Sequence, residues 1–220
     1  MRTAQRDDRG DPAQQWATDL DWLWHPLRWV EVVFGTLGMA AMTAALGLAM
    51  WLKGYRRAGV FAVLVVSLTG GATTALKILV GRERPDWQHP DFVLSSNSFP
   101  SGHASSVAAL GGVVMLLVLM LVRRRSSRRL LYAGVIVVAV AVCLDRVLLG
   151  RHYPSDVVGG VLLGAGVVFL GLAVYNPLPL STASQAEPLP EVYGPRRRLA
   201  VVLNPIKVED VGQFRHLVTT

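Results

Sequence analysis

Five long apolar stretches constrain what this 220-residue chain can fold into. A membrane helix needs roughly 20 apolar residues to cross a hydrocarbon core of about 30 Å. Val32–Leu52 carries no charge, and Ala58–Leu76 is uncharged until it runs into Lys77. Ala104–Val122 is the third stretch; Leu130–Leu144 is the fourth, continued by Val147–Leu149 past Asp145 and Arg146; Val157–Tyr175 is the fifth. Charged residues make up 17% of the chain and hydrophobic residues 52%, whereas soluble domains are nearer a quarter charged. Small residues in the last stretch, such as Gly159, Gly160, Gly164, Gly166 and Gly171, let membrane helices approach closely. The expected fold is all-α: a polytopic membrane bundle of five transmembrane helices.

The net charge of +7 raises nucleic acid as a partner. The basic residues instead cluster between apolar stretches, without the interleaved aromatics that stack on bases. The expected partner is therefore the bilayer, with no nucleic acid. Lys53, Arg56 and Arg57 follow the first stretch, Arg123, Arg124, Arg125, Arg128 and Arg129 follow the third, and Arg196, Arg197 and Arg198 follow the fifth. Cytoplasmic segments collect Lys and Arg. That places the C-terminus in the cytoplasm and the N-terminus and the other two loops outside, in a multi-pass protein of the cell (plasma) membrane.

Trp16–Trp29, WATDLDWLWHPLRW, is too polar to span. Its tryptophans favour a helix lying in the membrane interface over a soluble lead-in. The N-terminus lacks the short apolar core of a cleaved signal peptide, so no processing is expected. Cys143 is the sole cysteine, so no intramolecular disulfide forms. The expected division is residues 1–28 as an extracytoplasmic and interfacial segment, 29–175 as the membrane domain, 176–199 as a Pro-rich linker, and 200–220 as a strand, turn and helix start.

Ionisable groups are costly in a bilayer, so those bordering the spans need a reason. Three groups fall on one side. Lys77, Arg84 and Pro85 lie in KILVGRERP; Pro100, Ser101, Gly102 and His103 open the third span; Arg146, His152 and Asp156 lie in DRVLLGRHYPSD. Two helices separate the second group from the third, and an even number of crossings returns the chain to the same face. Taken singly, Lys77 and Arg84 read as interfacial anchors, His103 as a helix-start residue, and HYPSD as a turn with an Asp cap. Together, Lys77, Arg84 and Arg146 are three cations that need an anion, and their donors suit phosphate. Ser101 and Gly102 sit where a helix begins and its N–H groups favour an anion. Asp156, four residues after His152, can hold the Nδ1 proton and leave Nε2 as a nucleophile toward phosphorus. His103 can protonate the leaving oxygen and then activate water. This scheme needs no metal and no cofactor. Arg82 and Arg151 either help bind substrate or are solvated or lipid-facing.

These motifs resemble the signature of the type 2 phosphatidic acid phosphatase family. Lys77, Arg84 and Pro85 match Lys-x6-Arg-Pro; Pro100–His103 match Pro-Ser-Gly-His; Arg146, His152 and Asp156 match the third motif, in which Asp145 stands where Ser is usual. The resemblance covers about residues 29–175. It implies a metal-independent lipid phosphatase with His152 as nucleophile, His103 as general acid and Asp156 as orienting carboxylate. The expected substrate is phosphatidic acid or a related phospholipid monoester. A polyprenyl diphosphate is the alternative, and a non-catalytic lipid-binding or assembly protein is a further one. The C-terminal VVLNPIKVED resembles the opening of a diacylglycerol kinase-type domain, too short to carry kinase activity.

Overall fold

The computed structural model describes residues 14–17, 19–88, 93–175 and 177, all within the first of two compact units, Met1–Leu180. The tail read as strand, turn and helix start lies outside the described residues. Among the described residues run, in chain order, helices α1 (Asp21–Val33), α2 (Thr36–Leu52), α3 (Arg56–Val80), α4 (Gly102–Leu121), α5 (Arg125–Leu148) and α6 (Pro154–Val174). There is no strand among the described residues, so the all-α expectation holds. α3, α4, α5 and α6 are each long and apolar enough to cross a membrane. α1 and α2 together pass the same test as one span broken by a 54° bend. The chain is thus a multi-pass helical membrane protein with four or five apolar spans.

The helices fit the apolar stretches, with informative differences at their ends. The first stretch was expected to begin at Val32, but the bend at Phe34 and Gly35 divides it, and α1 takes Val32 and Val33. α5 runs unbroken through Asp145 and Arg146 to Leu148. It tolerates both charges because they pair with each other, as described below. The segment read as an interfacial helix is represented by α1, which leaves Trp22 and Trp29 exposed while Leu27 packs with Ala17 and Leu149.

The core is built on α3, α4 and α6, where Phe61, Ala62, Val65, Ala109, Val113 and Val168 pack together. Lipid is as apolar as these side chains, so close packing rather than water exclusion joins the helices. α4 and α6 approach through Gly160 and Gly164. A Cβ at Gly160 would stand 2.5 Å from the Ser101 carbonyl oxygen, and one at Gly164 2.3 Å from that of Ser105. This contact brings the start of α6 against the start of α4, and the Ser101 N–H donates to the Asp156 carbonyl at 2.9 Å. Two of the three sequence motifs meet there.

Candidate active site

The third motif leaves α5 through a tight turn at Gly150, whose φ of 64° is the left-handed conformation that glycine adopts most readily. The turn aims Arg151 and His152 inward, and both are buried, at 1% and 3% exposure. Pro154 then occupies the first turn of α6, and the Asp156 carboxylate reaches back to accept the Tyr153 N–H at 3.1 Å. The helix N-cap is Tyr153, so Asp156, read singly as an Asp cap, instead sits at the third helical position and reaches back to the cap. It does more than that, because Oδ2 also lies 3.5 Å from His152 Nδ1 and accepts the Ser98 hydroxyl. On its other oxygen it accepts Arg82 Nη1 at 2.9 Å.

These bonds fix the tautomer of His152. The Ser98 hydroxyl donates to Asp156, so its oxygen, 3.4 Å from His152 Nδ1, is left to accept. Nδ1 thus carries the proton, and Nε2 keeps its lone pair and faces Arg84 Nη1 at 3.4 Å. Burial pushes the His152 pKa down to about 4, and Arg84 and Lys77 push the same way against the Asp156 hydrogen bond. The imidazole is neutral at physiological pH.

The first motif closes over this histidine. Arg84 donates to the Ser96 carbonyl at 2.6 Å, the Ser96 hydroxyl at 2.9 Å and the Arg151 carbonyl at 2.6 Å. Burial and the neighbouring Arg151 lower its pKa to about 10, which leaves it charged at neutral pH. Lys77, in the last turn of α3, donates to the carbonyls of Asn97 and Ser98, the latter at 3.3 Å, while Asn97 returns a bond to the Lys77 carbonyl at 2.8 Å. The loop before α4 is thereby tied to both cations.

At the start of α4, the Ser101 hydroxyl caps the helix by accepting the Ala104 N–H at 3.5 Å. Gly102 and His103 border a cavity of about 520 Å³ that runs between α2, α3 and α4 from Lys77 past Thr73, Val66 and Met39. His103 Nε2 is 3.1 Å from the Glu31 carbonyl oxygen, so that nitrogen carries the proton. The two histidines share one end of the bundle. Glu31 holds His103 through its carbonyl, and its carboxylate takes Arg151, the residue preceding His152, at 3.0 Å.

Arg146 is also at this end, but its donors are engaged. Nε and Nη2 donate to Asp145, the former at 2.9 Å, and Nη1 donates to Glu31 at 3.2 Å. Asp145 therefore faces Arg146 rather than turning away. Its second oxygen, Oδ1, is buried without a hydrogen-bond partner.

Arg82 and Arg151, left open between substrate and solvent, have protein partners. Arg82 bonds Ser155 at 2.7 Å as well as Asp156, and its guanidinium lies 4.2 Å from the Tyr153 ring centroid. Sequence reasoning did not single out Glu31, Ser96, Asn97 or Ser98. For Glu31 a signal was present: a lone acid in the apolar run Trp29–Phe34, where an ionisable residue calls for a function.

A neutral imidazole backed by a buried carboxylate and faced by Arg84 thus stands at the same end of the bundle as the cavity bordered by Lys77, Gly102 and His103. Residues 58–178, more than half of the chain, match the PAP2 superfamily, and the chain belongs to it. Among relatives, it is 32% identical over 127 residues to a lipid A 1-phosphatase of Rhizobium johnstonii, covering 53% of this chain and 48% of that protein. It is 37% identical over 97 residues to a decaprenylphosphoryl-5-phosphoribose phosphatase of Mycobacterium tuberculosis, covering 42% and 47%. The chain spans about half the length of these relatives. The crystal structure of a transmembrane PAP2 type phosphatidylglycerolphosphate phosphatase from Bacillus subtilis superposes with a TM-score of 0.68 at 27% identity, over 79% of this chain and 87% of that one.

Proposed function

We propose that this chain hydrolyses the phosphate of a membrane lipid at the extracytoplasmic face of the plasma membrane, through a phospho-histidine on His152. The observation that carries this reading is the His152 imidazole: its Nδ1 side is held by Asp156 and Ser98, and its Nε2 is turned toward Arg84. In the first step Nε2 attacks phosphorus and the bond to the lipid oxygen breaks. That oxygen takes a proton from His103, releasing the lipid alcohol. Water then attacks the phospho-histidine and gives its proton to His103, and inorganic phosphate leaves. Lys77, Arg84, Arg146 and the start of α4 at Ser101 and Gly102 would neutralise the phosphoryl oxygens in the transition state.

The substrate class we favour is phosphatidic acid or a related phospholipid monoester. The phosphatidylglycerolphosphate phosphatase of similar fold supports it. So does the cavity leading away from Lys77 and His103, which suits an acyl chain. A polyprenyl phosphate or diphosphate is the second reading, supported by the decaprenyl-linked substrate in the name of one relative. The basic ends of α3 and α5, Arg56 with Arg57 and Arg125 with Arg128 and Arg129, lie at the end of the bundle opposite the site by helix count, which supports the outward-facing orientation.

The test is phosphate release in detergent from a panel of phosphatidic acid, phosphatidylglycerolphosphate and undecaprenyl diphosphate, with His152→Ala alongside. Turnover that persists in chelator and vanishes in the variant is expected. Equal turnover by His152→Ala removes the mechanism, and an inert wild type on the whole panel favours a non-catalytic lipid-binding or assembly role.

A further inference from the structure

Glu31, outside the three motifs, contacts three arginines and one of the two site histidines. Its carboxylate accepts Arg146 Nη1 at 3.2 Å, Arg151 Nε at 3.0 Å and Arg151 Nη2 at 3.4 Å, and it also pairs with Arg28. Its carbonyl takes the N–H of His103 at 3.1 Å. A small planar anion therefore fills the grasp of arginines whose forks suit phosphate equally well. The backbone carbonyl of the same residue also ties up the N–H of His103. Both contacts come from the last turn of α1.

α1 joins the rest of the bundle through a backbone break and one apolar cluster. The backbone breaks by 54° between α1 and α2 at Phe34 and Gly35. On the far side, α1 is anchored by a small apolar cluster of Leu23, Trp24 and Leu27 on Leu148 and Leu149. A second cavity of about 520 Å³, bordered by Arg28, Glu31, Gly35, Leu94 and Arg151, lies beside the carboxylate and gives it room to swing.

We propose that Glu31 is a resident anion that holds the arginine pair Arg146–Arg151 and His103 while no substrate is bound. Entry of the lipid phosphate exchanges it out, so that α1 gates the site. This rests on the phosphatase reading, and its chemistry is direct. A phosphomonoester brings up to two negative charges to arginines that a carboxylate holds with one, so exchange is favourable once substrate arrives. Until then, Glu31 keeps Arg146 and Arg151, each 1% exposed, from being buried with too little counter-charge, which is costly. The alternative role is a permanent counter-ion that holds the arginines in position for phosphate. The two roles predict opposite signs.

The experiment measures binding of inorganic phosphate to purified protein in detergent by calorimetry, for wild type and Glu31→Gln. The gate predicts at least about fivefold tighter phosphate binding in the variant, the lower end of ordinary coupling between sites. It also predicts a matching fall in KM for lipid phosphate. Unchanged or weaker phosphate binding overturns it. Hydrogen exchange of the unmodified protein gives a reading that does not depend on the variant folding. Saturating phosphate should speed amide exchange across residues 28–35, and unaltered or slowed exchange there overturns the gate. Binding needs no turnover, so the two proposals fail separately: tighter binding in an inert protein keeps the gate and loses the phosphatase, and His152-dependent turnover with unchanged binding does the reverse.

Discussion

Acidifying the substrate-free protein should cost it stability through His152, and the size of the loss follows from the site. An unfolded chain protonates a histidine near pH 6.5, whereas the folded protein holds His152 down at about 4, chiefly because the imidazole is buried and then because Arg84 and Lys77 face it. Between those values the unfolded state binds a proton that the folded state refuses. Stability conferred by the neutral imidazole is therefore intact above about pH 6.5 and erodes as pH falls. The loss is complete near pH 4, where the folded state protonates too. The full span is worth about 3 kcal/mol, of which about 2 kcal/mol is lost between roughly pH 7 and pH 5.

Thermal unfolding in detergent of wild type and His152→Gln at those two pH values isolates the effect, since titrations distant from the site cancel in the difference. The wild type should lose about 2 kcal/mol relative to the variant, or about 4–8 °C in Tm on the scaling of globular domains of similar size. A difference that stays constant from pH 7 to 5, or a His152 imidazole resonance that titrates near 6.5, would refute the reasoning. The same depression sets the acid side of the pH–rate profile. Loss of the nucleophile should begin below about pH 5.

Three further outcomes follow. Asp156→Asn should reduce kcat about a thousandfold, because Arg82 Nη1, Ser98 Oγ, Tyr153 N–H and His152 Nδ1–H all point donors at this carboxylate and an amide turns an N–H against some of them; activity within tenfold of wild type would contradict that role. Asp145→Ser frees the Nε–Nη2 edge of Arg146 while leaving a buried arginine with one carboxylate fewer, so KM should fall about tenfold while stability drops by about 3 kcal/mol; a higher KM would show that Asp145 supports binding. Gly164→Val should destabilise the α4–α6 contact by about 1–3 kcal/mol, whereas Gly166→Ala, whose added Cβ meets nothing within 4 Å, should leave Tm unchanged; equal effects in a melting experiment would remove the close-approach argument.

How much of this was legible in the sequence depends on what kind of information each feature carries. The helices were readable because length and apolarity are local properties, and a lipid environment demands both at once. The bend at Phe34 and Gly35 was not, since nothing in Val32–Leu52 changes composition there. The three motifs announced their convergence through helix count alone, and the contact of Ser101 with Asp156 realises it. The partners that position His152 are a different matter. Ser98 and Asn97 are ordinary loop residues by composition, and their value comes from hydrogen bonds to groups 20 to 58 positions away in the chain.

Asp145 and Glu31 carry the argument one step further. In isolation, Asp145 beside Arg146 reads as a weakness in the anion site, and Glu31 reads as an oddity at the edge of an apolar helix. Placed together, they form with Arg28, Arg146 and Arg151 a network in which two carboxylates answer three guanidinium groups. Arg84 and Lys77 lie close to this network, with Asp156 acting on both. The resident carboxylates restrain how strongly these cations hold an incoming anion. An enzyme that must release inorganic phosphate after every turnover has use for such restraint: arginines left bare would bind the product as tightly as the reacting phosphoryl group, and uniform tightness raises no rate.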